Sequence, residues 1–200
     1  MKSLGRLGLN VSTALGVFAL CASAYAAGST LWLLVPGKQA GSLRLQSYPK
    51  GLPLGKPDYE DAGMSHYVDL WASTERDKAG MPLNTVVAAS TSNGPISGGP
   101  GVTLTNVRIT SPKFHDAHGL STGSTLAVIR RFYAHLAAVD GKPAVLADDP
   151  RGIAFEFGSA RPKPSSRCVA IDIYEPGGYV KFDAVDVREM VEEWKKEPTH

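Results

Sequence analysis

The stretch STLAVIRRFYAHL, residues 124–136, decides how the chain's fold class is read. Leu126, Ile129, Phe132, Tyr133 and Leu136 recur at the spacing that lines one side of a helix. Ser124, or Ser121 just before it, can accept from the amide protons that a helix start leaves without partners. Gly141-Lys142-Pro143 closes the segment. The spacing therefore predicts an amphipathic helix with its apolar stripe turned toward a core. A second helix is predicted near the C-terminus, with Val187, Met190, Val191 and Trp194 as its stripe. Asp183 would cap it, Phe182 would staple onto Val187, and Glu192 with Lys196 would form an i,i+4 ion pair.

Strand signals surround the first helix. In residues 152–157 Ile153, Phe155 and Phe157 share one face. In residues 169–174 Val169, Ile171 and Ile173 do the same. The polar connector 158–167 is long for a hairpin. Upstream, Val102–Leu104 and Val107–Ile109 read as strand, with a slip in the alternation near Asn106 that a β-bulge would explain. Residues 43–48, 66–72 and 85–89 are β-prone, and residues 31–35 read as a first strand. Gly51–Pro57 and Thr91–Gly101 have loop composition. The fold class predicted is α+β: an antiparallel sheet with two main helices packed on it, preceded by an N-terminal signal segment.

That signal segment is the sharpest local feature. Lys2 and Arg6 precede an apolar run from Leu7 to Leu20, and Ala24-Tyr25-Ala26 has the small-x-small form of a cleavage site. Residues 1–26 thus read as a signal peptide, or as an uncleaved anchor reaching to about residue 35. The expected location is periplasmic or secreted. Residues 27–101 form the irregular, β-rich N-terminal part of one domain, and 102–200 its α+β part.

The chain carries 21 basic and 19 acidic residues, and both charges in the leader are basic. The mature chain is then neutral, with Lys and Arg interspersed among acids, which argues against nucleic acid as a partner. Cys168 is the one cysteine beyond the leader, so no internal disulfide is expected, and its apolar surroundings predict a small buried hydrophobe.

Possible chemistry concentrates just before the first helix, in HDAHGLSTG, residues 115–123. Gly119-Leu120-Ser121-Thr122-Gly123 fits the G-x-S-x-G pattern of a serine nucleophile on a sharp turn. A serine hydroxyl needs a histidine base oriented by a carboxylate, which His115 or His118 with Asp116 would supply from upstream. His135 lies too far along the same segment. Alternatively, His115 and His118 at i,i+3 could hold a metal with Asp116. The reading preferred is that the two histidines and Asp116 are solvated loop residues and Ser121 a turn or cap residue. No catalytic residue, metal or cofactor is assigned.

The segment from Gly119 to Gly177 resembles a recurrent unit of bacterial envelope proteins, carried here by Thr122-Gly123-Ser124-Thr125, Val128, Gly152–Phe157 and Val169–Tyr174. It is similar in outline to the small outer-membrane assembly lipoproteins of the SmpA/OmlA type and to β-lactamase-inhibitor-like domains. The resemblance implies a helix packed on an antiparallel sheet, and protein binding without catalysis. The functional expectation is an exported, non-catalytic binding protein whose partner is another envelope protein. It would meet a membrane only through an uncleaved N-terminal segment. A small hydrolase using Ser121 with an upstream histidine, or a metal site at His115 and His118, is the competing class.

Overall fold

The computed structural model describes residues 30–47, 55–63, 66–92, 102–178 and 187–196. The leader, most of the Gly51–Pro57 and Thr91–Gly101 loops, and the expected cap and staple at Asp183 and Phe182 lie outside the described residues.

The framework is an eight-stranded antiparallel sheet built from two meanders. The first runs β4 (Tyr59–Gly63), β5 (His66–Ala72), β6 (Thr85–Ser92) and β7 (Val102–Ile109). The second runs β8 (Ala137–Val139), β9 (Lys142–Asp148), β10 (Ile153–Phe157) and β11 (Cys168–Tyr174). They join where β7 pairs with β11, giving the order β4-β5-β6-β7-β11-β10-β9-β8. After β7 the chain crosses three strands, β11, β10 and β9, to reach the far edge, and this connection, residues 110–136, covers one face of the sheet. A smaller three-stranded sheet, β1 (Leu34–Val35), β2 (Gln39–Ala40) and β3 (Leu43–Arg44), packs on the same face. Leu31 and Trp32, expected to begin a strand over 31–35, instead belong to a 3-10 turn, Thr30–Trp32, before β1.

Period-two alternation sorts the strand residues onto two faces. The first face sends Trp71, Val86, Ala88, Leu104, Val107, Ile109, Phe155 and Ile171 into the main core, against Leu34, Leu43, Phe114, Leu126 and Ile129 of the covering segments. The second face carries two smaller apolar clusters. One joins Tyr59, Leu70 and Val87 to Met190 and Val191 of the terminal helix. The other joins Val145, Ala147, Ala154 and Tyr174. The slip near Asn106 is a β-bulge: Ala89 faces Asn106, Ser90 faces Leu104, and Thr105 is the extra residue, donating its hydroxyl to the Ala89 carbonyl at 3.1 Å.

The expected α+β architecture is corrected by these findings: the protein is mostly antiparallel β. The first of the two main helices is a single turn, α1 (Leu126–Ile129). Its cap is Thr125, with no side-chain capping bond, and Ser124 instead accepts from the Ser121 amide at 3.1 Å. The amides of Leu126 and Ala127 donate to Ser166 and Pro164 carbonyls, both at 2.9 Å, so the next loop satisfies the helix start. Beyond Ile129 the turns tighten to i→i−3 bonds at Arg131 and Phe132, and Ala137–Val139 pairs with β9 as a strand. Of the expected inward stripe, Leu126, Ile129 and Tyr133 are buried and Leu136 is partly so, whereas Phe132 is exposed, because the tightened turns beyond Ile129 rotate it off the core-facing side. Helical spacing did not set the number of turns, because neighbouring strands and loops took the backbone groups that a longer helix would have used.

The terminal helix, α2 (Val187–Trp194), forms with Met190 and Val191 buried on the second face. Glu192 pairs with Lys195 at 3.6 Å, one residue before the expected Lys196. In β11 a register shift sets Phe157 opposite Cys168, so Cys168 is buried and Val169 is 47% exposed, against the expected grouping of Val169 with Ile171 and Ile173.

Close backbone approach fixes the corner where the small sheet meets the large one. Gly152 follows the 3-10 turn Asp149–Arg151 at φ +70, and a Cβ there would overlap the Tyr174 carbonyl and the Gly37 backbone. The Gly37 amide donates to the Gly152 carbonyl at 3.1 Å. Only glycine meets both demands, left-handed backbone and no side chain.

Candidate functional site

The 115–133 region is held by one carboxylate. Asp116 is 3% exposed; its Oδ1 accepts from the amides of His118 (2.8 Å) and Leu120 (2.9 Å), and its Oδ2 accepts from the Tyr133 hydroxyl at 2.8 Å. Two amide donors close the loop as an Asx-type turn, and the tyrosine bond ties that turn to the segment following α1. Burial, and then the hydrogen bond and charge of Asp116, push the Tyr133 hydroxyl's pKa far above its ordinary value. The Tyr133 ring packs edge-on against Phe155, centroids 5.2 Å apart, and under the Arg151 guanidinium at 5.3 Å. Arg151 also donates to the Phe132 carbonyl at 3.0 Å and stands 3.7 Å from buried Asp148, an ion-pair distance too long for a hydrogen bond.

The two histidines face other partners. His118 stacks on Phe132 with centroids 4.3 Å apart, and the His115 Nδ1 lies 3.2 Å from the Asp116 carbonyl. The His115 backbone bridges Leu33, exchanging bonds with Trp32 and Leu34. The Ser121 hydroxyl donates to the Thr122 carbonyl at 3.2 Å, and no hydrogen bond joins Ser121 to a histidine among the described residues. Nor does any group of three His, Cys, Asp or Glu side chains suited to a metal occur among them. The structure thus brings Asp116 together with Tyr133 rather than with Ser121. The expectation that Asp116 is a solvated loop residue is corrected, since it is buried and accepts those three bonds, while His115 and Ser121 contact carbonyls of their own loop and the His118 ring stacks on Phe132.

A second polar constellation lies on the opposite face of the sheet. Arg108 in β7 makes a bidentate pair with Glu156 in β10, Nε to Oε1 at 2.8 Å and Nη2 to Oε2 at 2.7 Å. Asp172 of β11 sits between them in strand order, opposite Arg108 in register. Burial opposes ionisation of Glu156, but the Arg108 guanidinium outweighs it and holds the Glu156 carboxyl below its ordinary value. Asp172 is fully buried, and burial followed by the charge of Glu156 drives its carboxyl well above the usual carboxylate range. The group is thus a bidentate ion pair between β7 and β10 with a buried carboxyl of raised pKa on the strand between them.

A cleft among the described residues lies elsewhere, at the end of β5 and the start of β6 on the first face. It measures about 450 Å³. Its floor is Trp71, Phe114 and Val86, with Trp32 at one wall; Trp32 and Phe114 meet edge to face at 5.0 Å. Asp58, Ser73, Thr74, Glu75, Asn84, Ser111 and Lys113 supply polar lining. Asp58 is positioned by the Ala72 amide (2.7 Å), Trp71 donates its indole N–H to Gly55 (3.0 Å), and Lys113 lies over the Trp32 ring at 5.6 Å. An apolar floor with a few convergent polar groups is the usual form of a binding cleft.

The sequence analysis did not single out these polar residues. They come from three separate connections, before β4, between β5 and β6, and after β7, and meet because β5 and β6 are neighbours and the turn after β7 returns beside them. Their spacing in the chain carries no period. Arg108, Glu156 and Asp172 did leave a signal: each charge interrupts an apolar run, in VRI, FEF and IDI. Alternation alone reads such positions as a solvated face.

No family model matches the chain, and no curated protein does. Among solved structures, the chain is similar to the crystal structure of the uncharacterized protein yfeY from Escherichia coli, at 15% identity and a TM-score of 0.35. The match covers 70% of this chain and 99% of that one.

Proposed function

We propose that this is an exported envelope protein that binds without transforming what it binds, and that its cleft takes an extended segment of another envelope protein. The observation that carries the reading is the cleft itself: about 450 Å³, floored by Trp71 and Phe114, with Trp32 beside them and carboxylate, amide, hydroxyl and ammonium groups around them. An apolar side chain of the partner would occupy the floor. Asn84, Asp58, Glu75 and Lys113 would meet its backbone amides and carbonyls. The G-x-S-x-G serine does not line this space, and its hydroxyl is turned to its own loop. Export rests on the leader read in residues 1–26. No described helix is long and apolar enough to cross a membrane.

The test is a photoreactive residue at Thr74, an exposed rim position, activated in intact host cells, with the adduct mapped by mass spectrometry. The expected result is an adduct to one extended segment of another envelope protein, lost when Trp32→Ala removes the aromatic wall. An adduct indifferent to that substitution, or none at all, would overturn the reading.

A further inference from the structure

Charge is unevenly distributed around the connection that covers the first face. No aspartate or glutamate falls between Asp116 and Asp140, nor between Glu156 and Asp172. Those two intervals hold Arg130, Arg131, Arg161, Lys163 and Arg167, which leaves sixteen of the 21 basic residues against all 19 acidic ones elsewhere. The fold sets the two intervals side by side. The amides of Leu126 and Ala127 donate to Ser166 and Pro164, Thr125 bridges Arg167, and the Arg167 guanidinium donates to the Gly123 carbonyl at 2.9 Å. All five cationic residues are exposed, and none has an ion-pair partner among the described residues.

Two large apolar side chains stand among these charges: Val128 is 37% exposed and Phe132 is 38% exposed. They are four residues apart, flanking Arg130 and Arg131. A protein surface seeking only solubility has no reason to combine a one-sign field with exposed apolar side chains. A soluble polyanion would satisfy the arginines and leave Val128 and Phe132 in water. An anionic bilayer surface accepts both, with cations at the headgroups and apolar side chains at the acyl boundary. We propose that this face, α1 with the 158–167 loop, docks the protein on the surface of a membrane containing anionic lipid. The inference is independent of the cleft and of what the cleft takes.

The experiment uses the protein as the host exports it, with vesicles of phosphatidylcholine alone or with phosphatidylglycerol added. Binding is read by co-sedimentation and the footprint by hydrogen exchange. The variant Arg130→Gln/Arg131→Gln/Lys163→Gln removes three cations whose side chains make no hydrogen bond or ion pair among the described residues, and it carries the same N-terminus as the wild type. Each cation near an anionic surface contributes about fivefold to partition, so the triple variant should bind on the order of a hundredfold more weakly. Protection should concentrate in 124–136 and 158–167, require phosphatidylglycerol and weaken as salt rises. Phe132→Ser should weaken binding further. Equal binding to phosphatidylcholine alone, a footprint elsewhere, or an unaffected triple variant would overturn the proposal. So would a dextran sulfate footprint on the same residues with Phe132→Ser without effect on vesicles, since that describes a polyanion site.

Discussion

The connection after β7 and the terminal helix α2 each lay apolar side chains on the sheet, from opposite faces, and are held there by different forces. Tyr133, Leu126 and Ile129 of the connection reach the main core, and a buried carboxylate clamps the segment through the Asp116–Tyr133 bond. Met190 and Val191 of α2 meet Tyr59, Leu70 and Val87 through apolar contact, supplemented by the Tyr59 hydroxyl donating to Glu193 at 3.2 Å. Polar anchoring is directional and specifies a single geometry. Apolar burial is tolerant of exact placement, so α2 can remain a regular helix while α1 is cut to one turn.

The contrast breaks first at Asp116. Asp116→Ala would leave the amides of His118 and Leu120 and the Tyr133 hydroxyl without their acceptor, at a cost of about 4 kcal/mol. For a chain of this length that corresponds to a fall in Tm of roughly 12 °C, read by thermal denaturation. Val191→Ala in α2 should cost less, about 2 kcal/mol from lost burial and the small cavity left, measured by urea unfolding. A larger loss at Val191 than at Asp116 would refute the division between polar and apolar anchoring.

Tyr133→Phe sharpens the comparison, because it removes the hydroxyl and keeps the ring against Phe155. About 1.5 kcal/mol should be lost at neutral pH. Its pH dependence has a definite sign. The Tyr133 hydroxyl's pKa is raised in the folded protein above the ordinary value of 10.0, so the stabilisation it carries is complete below pH 10 and declines as pH rises beyond it. Wild type and Tyr133→Phe should therefore converge in stability above that pH; an unchanged difference in alkaline urea melts would rule out the clamp as described. The smallest effect belongs to the exposed Glu192–Lys195 pair of α2. Glu192→Gln should change stability by no more than about 0.5 kcal/mol, and a larger shift by differential scanning calorimetry would mean that polar contacts matter on that face as well.

Much of the sheet was legible because alternation is a local property. His66–Ala72, Ile153–Phe157 and the bulge near Asn106 could be read from consecutive residues. The 3.6 spacing in 124–136 found the buried Leu126, Ile129 and Tyr133, but it placed Phe132, which is exposed, on the same inward stripe. The segment's length as a helix was not local, since Ser166, Pro164 and Arg151 decide where the backbone bonds go. The strand at 137–139 followed from the same pairing with β9 and left only a short Ala-rich signature. At the candidate site, Asp116 stood out as a carboxylate beside histidines and a serine. The partner that defines its role, Tyr133, lies 17 residues further along the chain and had been assigned to an apolar stripe. Amphipathic tyrosine serves both functions at once, packing with its ring while donating with its hydroxyl.

The central claim is that residues 115–133 form a structural clamp, in which Asp116 holds the turn to Tyr133 and the Ser121 hydroxyl bonds its own loop. Incubating the folded protein with a fluorophosphonate probe and mapping modified residues by mass spectrometry tests this directly. A nucleophilic serine would be labelled at Ser121, with labelling abolished by Asp116→Asn or by substitution of His115 or His118, and that result would contradict the account. The result predicted is no label at Ser121, because its hydroxyl donates to the Thr122 carbonyl and makes no hydrogen bond to an imidazole among the described residues.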